Sequence, residues 1–450
     1  MTHADTSSPP GSSETLAVDG LPTIAPVSDV LVDLEWRGLV AQTTDRDALV
    51  AALSAGQVTL YCGFDPTAES LHLGNLVPLF ALRRFQLAGH RPIVLAGGAT
   101  GFIGDPGGRT SERQLQSAEQ IQQRVALIKA QVARLVDLES GTALLADNMD
   151  WTRSLTAIDF LRDVGKHFPV NQMLARDSVS TRLAGGGLSF TEFSYQLLQS
   201  LDFLELNRRH GCTLQVGATD QWGNITAGLD YLRRVDGVSG HALTFPLITD
   251  AQGNKLGKST GGGAVWVDPA MTSPYALFQF ALNVADADVI TYLSLLTFVG
   301  QAEVAELARA TRERPRERAA HRRLARELVA LVHGATEVRR VEDAAAALFG
   351  TGDLRALDAS TLSAALAEAP SLQVGEGSIA SVVELLAEGL GVSRSDARRT
   401  VREGGAYLNN AKVGDDALRP QEHDWLHGRF LVLRKGKRQV LVVQRAGSHA

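Results

Sequence analysis

Three short, widely separated segments limit what this chain can fold into: HLGN at 72–75, GATDQWGN at 217–224 and KLGKS at 255–259. The first follows the β-rich apolar run VTLYCGF at 58–64 and opens a helical stretch from about Leu76 to Ala88 that Gly89 closes. Pro78 fits a first turn, where a residue has no intrahelical acceptor for its N–H. A second apolar run, Pro92 to Ala96, enters the loop GGATGFIGDPGGR, and helical periodicity resumes beyond Ser111. The second segment follows the short strand LQV, and the third lies on a glycine-rich loop after FPLIT and a turn at 251–254. Strands that alternate with helices in this way predict an α/β protein with a Rossmann-like doubly wound parallel sheet, whose ligand crevice lies at the C-terminal ends of its strands.

With 450 residues, 44% of them hydrophobic and 21% charged, the chain is long enough to bury a large core in two or three domains. Its two cysteines, Cys62 and Cys212, have no CxxC or Cys/His ligand spacing around them. That argues against a structural zinc site or a disulfide framework and fits a reducing cytosol. Residues 1–28 read as a disordered tail: the first 26 are rich in Ser, Thr, Pro and Gly and lack the basic start and apolar core of a secretory signal. No apolar run reaches the ~18 residues that span a bilayer, so no membrane role is expected. The net charge of −6 argues against a general nucleic-acid binder, yet the balance is uneven. Residues 376–450 hold 12 Lys+Arg against 9 Asp+Glu, which makes that end +3 and leaves −9 for the remainder.

The expected plan is a sheet domain over 29–268, a helical domain over 269–350, a linker over 351–375 and a small α+β domain over 376–445. The helical part is rich in Arg between Arg309 and Arg326, and the linker mixes small, acidic and Gly/Pro positions with weak periodicity. The last part places two helices around LGVSRSDARR, then GGAYLNNAKV and the hairpin FLVLRKGKRQVLVV.

His72 and Gly74 mark an anion-binding turn, because backbone N–H groups at a helix start favour negative charge, glycine allows close approach and imidazole donates to oxygen. Standing alone, such a turn is more often only packing. Asp105 supplies a carboxylate to the GATGFIGDPGGR loop, and Arg109 and Arg113 follow at helical spacing, equally readable as a solvated basic face. Tyr195, Gln199 and Asp202 recur at i, i+4 and i+7 and therefore share one helix face. Asp220 falls near the end of a strand, where the usual role of an Asp is to cap a helix. Lys255 and Lys258, three apart on a glycine-rich loop, are placed to close over a triphosphate and stabilise charge moving onto pyrophosphate.

In this order the three segments resemble the signature of the class I aminoacyl-tRNA synthetases. YCGFDPTAESLHLGN and FTEFSYQLLQSLDF narrow the resemblance to the bacterial-type tyrosyl-tRNA synthetases, over residues 30–445. The resemblance implies that Thr67 and His72 hold ATP phosphates, with Cys62, Gly63, Asp65, Gly74 and Asn75 around the adenosine and α-phosphate. Asn75 stands where the family commonly has a second His; an amide still donates to a ribose hydroxyl but carries no charge. Asp105, Tyr195 and Gln199 would take the substrate ammonium, Gln221 its carboxyl with Gln215 behind it, and Asp202 with Tyr61 its phenol. Gly217 and Asp220 would hold the ATP ribose, Lys255, Lys258 and Ser259 the phosphates, and Arg109 and Arg113 the leaving pyrophosphate. A buried carboxylate and phenol deprived of a substrate hydroxyl stay unpaired, which favours tyrosine over phenylalanine, a rule of which this family is itself a known instance.

The activity implied is formation of tyrosyl-adenylate from L-tyrosine and ATP, then transfer to the 3′-terminal adenosine of tRNA(Tyr). Mg²⁺ accompanies ATP as substrate, and no tightly bound cofactor or protein-held metal is expected. A homodimer in the cytoplasm follows from the same resemblance. The C-terminal part resembles a small RNA-binding domain, and Arg394, Arg398, Arg399 and Arg402 on a helix, with Arg434, Lys435, Lys437 and Arg438 on the hairpin, are expected to hold RNA phosphates. Two other readings stay open. The Tyr61 and Asp202 combination speaks against a tryptophanyl enzyme, and the intact HLGN and KLGKS segments speak against a catalytically silent RNA-binding regulator built on a synthetase body.

Overall fold

The computed structural model describes residues 27, 29–106, 116–176, 179–180, 183, 187–249, 264–349, 352–367, 369–375, 379–436 and 439–446. The chain falls into two compact units, one of the residues up to Thr272 with Asn283–Val332, the other of Ser273–Leu282 with His333 onward. The tail over 1–26 and the KLGKS segment lie outside the described residues.

In the first unit, β1 (Gln42–Thr43), β2 (Thr59–Phe64), β3 (Arg91–Ala96), β4 (Leu144–Asp147), β5 (Cys212–Ala218) and β6 (His241–Phe245) form one sheet in the order β1-β6-β5-β2-β3-β4. All neighbours pair in parallel except β1, which joins β6 antiparallel. The chain therefore leaves β2 toward β3 and β4 on one side and returns to the other with β5 and β6. Connections beyond the C-terminal ends of β2 and β5 run apart and leave a crevice, as the doubly wound expectation requires.

Helix α1 (Val30–Trp36), α2 (Leu73–Leu87), α3 (Phe190–His210) and α4 (Trp222–Asp236) position that crevice. Helix α2 begins at Leu73, earlier than the periodicity predicts, because the Asn75 side chain accepts from the His72 N–H at 3.0 Å and caps the first turn. Pro78 consequently sits inside the second turn, not the first, and its missing N–H leaves the Gly74 carbonyl without an i+4 partner. Helix α3 starts at Ser189, whose side chain accepts from the Glu192 N–H, and stops at Gly211 in the left-handed region at φ 64°. Its Leu197, Leu201 and Leu204 pack with Tyr61, Ile93 and Leu95 of the sheet. Each such leucine contributes roughly 1.5–3 kcal/mol of burial.

One ionic knot joins sequence-distant parts of this unit. The fully buried Arg84 on α2 and Arg37 after α1 share the Asp33 carboxylate, at 3.1 and 3.0 Å. Further N–H groups donate to main-chain carbonyls: Arg37 to Ser294, Thr297 and Val299 at 3.2, 3.1 and 3.0 Å, and Arg84 Nη2 to Thr297. The helix Val289–Leu296 is thereby tied to the sheet unit, and the helical stretch 269–350 is divided between the two units.

In the second unit, β7 (Ser371–Val374), β8 (Ala406–Leu408), β9 (Ala411–Lys412), β10 (Phe430–Lys435) and β11 (Gln439–Arg445) make a sheet in the order β7-β11-β10-β8-β9. The helices Val382–Gly389 and Arg394–Arg402 bury Leu385, Leu386, Ala397 and Val401 with its strands. Residues expected as a linker carry structure: the helix Ala359–Leu366 buries Leu362 and Leu366, and β7 adds to the sheet edge parallel to β11. That strand is only four residues long, and its alternating Leu372 and Val374 pack against the core of this unit. Asn410, in the left-handed region, donates from Nδ2 to the Ala347 and Gly352 carbonyls at 2.6 and 2.8 Å and fixes the end of the helix Ala335–Phe349.

Because Asp33 is the shared counter-charge of two buried guanidinium groups, Asp33→Ala is expected to destabilise the protein by about 3–5 kcal/mol. Equilibrium urea unfolding checks this, with a lowered midpoint and an unchanged slope.

Candidate active site

The crevice at the β2/β5 switch point holds a cavity of roughly 290 Å³. Its walls include Tyr61, Cys62, Gly63, Asp65, Thr67, His72, Gly74, Asn75, Asp105, Tyr195, Gln199, Asp202, Gly217, Asp220 and Gln221. Every described residue expected to bind amino acid or nucleotide thus lies around one space. Arg109, Arg113, Lys255, Lys258 and Ser259 lie outside the described residues, as do Lys437 and Arg438.

The inner end is buried and polar. Tyr61 on β2 and Gln215 on β5 are register partners, and both side chains reach the cavity. The Tyr61 hydroxyl and the Gln215 Oε1 are buried without a hydrogen-bond partner among the described residues. Beside them Asp202, 3% exposed, accepts from Asn148 Nδ2 at 3.1 Å and from Trp151 Nε1 at 2.9 Å. Burial pushes the Asp202 carboxyl up to about 7 against the pull of these two bonds, with Asp65 and Asp147 adding to the rise. Burial, and then the Asp202 charge, hold the Tyr61 phenol well above its ordinary value.

The middle of the cavity is a set of carboxylates held by neutral donors. Asp65 accepts from Thr100 Oγ1 at 2.6 Å and from the Tyr195 hydroxyl at 2.8 Å. Asp105, 8% exposed, accepts from Gln221 Nε2 at 2.6 Å and from Asn224 Nδ2 at 3.5 Å. Two carboxylates that line one cavity are suited to a cationic group such as an ammonium. Burial pushes the Cys62 thiol up to about 12, so it stays protonated and is no nucleophile.

The outer end is built from chain entries. His72 stands at the N-terminus of α2, and the segment just past residue 263 pairs with it: Leu73 N–H donates to the Val265 carbonyl at 2.9 Å and Val267 N–H to the Leu71 carbonyl at 2.8 Å. The Trp266 ring meets the imidazole edge-on, 6.4 Å between centroids. Asp220 lies exposed at the rim in a short turn, and it does not cap α4, whose first residue is preceded by Gln221 without a side-chain cap.

Four residues that hold this site were absent from the sequence expectations: Thr100, Asn148, Trp151 and Asn224. Asn224 had a signal, since it lies three residues beyond Gln221 and the two amides bond at 3.2 Å. Asn148 and Trp151 follow β4 directly, at the strand end where ligands gather.

In the second unit, Arg394, Arg398, Arg399 and Arg402 stand well into solvent, next to Glu384, Asp416, Asp396 and Asp416 respectively. Exposed pairs of this kind contribute little and leave the cations available to another partner. The hairpin departs from expectation. Lys435 is mostly covered and bonded to Asp396, and Arg434 is buried with its guanidinium over the Tyr407 ring at 4.9 Å. The pleat of β10 and its pairing with β8 turn Arg434 inward.

Comparison with known families agrees with this geometry. The family model described as class I tRNA synthetases for tryptophan and tyrosine matches residues 53–350, which places the chain in that class. A second, described as the C-terminal domain of tyrosine–tRNA ligases, matches residues 361–443. The chain is 57% identical to the tyrosine–tRNA ligase of Nocardia farcinica over 93% of its own length and 99% of that protein. It is 55% identical to that of Mycobacterium tuberculosis over 93% and 99%. Among solved structures, a C-terminally truncated mitochondrial tyrosyl-tRNA synthetase of Aspergillus nidulans superposes with a TM-score of 0.62 at 30% identity, covering 70% of this chain and 92% of that one. The chain belongs to the tyrosine–tRNA ligase family.

With its carboxyl near 7, Asp202 can accept a hydroxyl hydrogen strongly when ionised and only weakly when protonated. Tyrosine kcat/KM in pyrophosphate exchange is therefore expected to fall as pH drops through about 7, with one proton taken up. Asp202→Asn is expected to weaken tyrosine use at all pH values and to remove that step from the profile.

Proposed function

We propose that this protein activates L-tyrosine with ATP and transfers the tyrosyl group to the 3′-terminal adenosine of tRNA(Tyr). The observation that carries the reading is the inner end of the cavity, where the orphaned Tyr61 hydroxyl and the Asp202 carboxylate face one space. A substrate phenol donates to Asp202 and accepts from Tyr61, which relieves both. An indole has one donor and no acceptor, so it satisfies only half of the pair.

The remaining roles follow from distance along the cavity. Tyr195, Gln199 and Asp105 take the ammonium, and Gln221 orients the carboxylate. One carboxylate oxygen attacks the α-phosphorus in line, the bond to the bridging oxygen breaks, and pyrophosphate leaves. The carboxylate is already ionised, so positioning and charge stabilisation suffice and no general base is needed. Thr67 and His72 hold phosphates at the α2 entry with Lys255, Lys258, Ser259, Arg109 and Arg113. Cys62, Gly63, Asp65, Gly74, Asn75, Gly217 and Asp220 enclose the adenosine side, and Mg²⁺ arrives with ATP. Since the Asn75 carbonyl oxygen caps the helix, its amide hydrogens are the part directed to a ribose hydroxyl. The solvent-facing arginines of the helix Arg394–Arg402 position tRNA through its phosphates, and Lys437 shares that role.

The reading includes a homodimer in the cytoplasm. Ile158, Leu161, Val170, Leu174 and Phe190 are large apolar side chains exposed within one stretch of the first unit, and Phe190 is 72% exposed. A second copy is the occupant that would bury them. Among the described residues no helix is long and apolar enough to cross a membrane.

Two measurements test these statements. Pyrophosphate exchange into ATP without tRNA is expected with tyrosine and not with tryptophan or phenylalanine; exchange with tryptophan, or with none of the three, contradicts the reading. Phe190→Asp is expected to shift the molar mass in solution, by light scattering, from two chains to one.

A further inference from the structure

A chain of buried hydrogen bonds connects the two carboxylates at opposite ends of the amino-acid pocket, and its polarity is set by one backbone group. The Ala99 N–H donates to Asn148 Oδ1 at 2.7 Å, which fixes the amide. Its Nδ2 then donates to Asp202 Oδ2 at 3.1 Å and to Thr100 Oγ1 at 3.1 Å. Because the Thr100 oxygen accepts there, its own hydrogen points to Asp65 Oδ1, 2.6 Å away. The outer oxygens of the two carboxylates take Trp151 and Tyr195. Thr100 and Asn148 are 3% and 1% exposed, so no solvent competes for these bonds. Gly97 keeps the Thr100–Asp65 contact open, since a Cβ there would strike both side chains.

On the reading proposed above, we infer that Thr100 is a positioning residue through which recognition of the phenol at Asp202 sets the placement of Asp65 at the reacting end. An occupied, ionised Asp202 holds the Asn148 amide, the amide holds the Thr100 hydroxyl in one rotamer, and the hydroxyl holds Asp65. Thr100 acts on turnover and not on tyrosine affinity, because among the described residues its hydroxyl bonds to Asn148 and Asp65.

The test is tyrosine-dependent pyrophosphate exchange by the full-length protein. Thr100→Val keeps the shape and removes the hydroxyl; it is expected to lower kcat about tenfold with tyrosine KM within about twofold. Thr100→Ser is expected to recover most of the loss. Thr100→Val combined with Trp151→Phe, which loosens the far end, is expected to lose at least about threefold less than the product of the single losses, since residues that share no contact otherwise act independently. Thr100→Ala replaces a valine variant that does not fold. A change confined to KM, a loss that serine does not restore, or multiplicative losses overturns the inference. Absence of tyrosine-dependent exchange in the unaltered protein would instead refute the assignment of the site itself.

Discussion

The reversal of strand order between β2 and β5 is the constraint on which the rest of this site depends. Parallel neighbours need crossover connections, and those of β2 and β5 leave in opposite directions, so the space above their C-terminal ends cannot be filled by either. The residues at those ends are thereby forced to face one another across a gap. Tyr61 to Phe64 come from one strand and Gln215 to Ala218 from the other, and α2, α3 and α4 close the remaining sides. The rigidity of this frame rests partly on the Asp33, Arg37 and Arg84 knot, which fastens the helix entering from residue 289 to the back of α2.

Within that frame, burial and hydrogen bonding act against each other at Asp202, and burial wins. Two good donors do not bring its carboxyl back to the ordinary carboxylate range. Burial therefore disfavours the Asp202 charge, and the Tyr61 hydroxyl and Gln215 Oε1 are unpaired among the described residues. These groups lower the stability of the free protein and are tolerated because the core around Phe203, Leu204 and Leu206 is fully packed.

The sequence revealed those parts of the site that obey a local period. Tyr195, Gln199 and Asp202 were legible because a helix repeats every 3.6 residues, and the α2 entry because a glycine and a histidine follow a strand. Asn148, Trp151 and Thr100 were not, because their roles depend on which strand lies beside which. The register that sets Ala96 against Asp147 brings Asn148 next to Thr100, and no spacing within either segment records it. Pro78 was misplaced by one turn for a similar reason: the cap that starts α2 comes from Asn75, a residue also read as a ligand contact. On the hairpin, a run of Arg and Lys looked uniformly basic, yet Arg434 is buried in the sheet and Lys435 is neutralised across to Asp396.

A neutral donor acts on a buried carboxylate differently from a salt bridge. Asp65, Asp105 and Asp202 accept from hydroxyl, amide and indole groups. A counter-charge would lower each carboxylate's capacity to attract a substrate ammonium, whereas a neutral donor orients the oxygen and leaves the charge uncancelled. The cost is three acidic groups close together, which Coulomb repulsion makes unfavourable without substrate. An ammonium entering that space lowers the repulsion whatever side chain it carries. Discrimination among amino acids must then come from elsewhere, and the cavity supplies it at its far end, where only a hydroxyl can satisfy Tyr61 and Asp202 together.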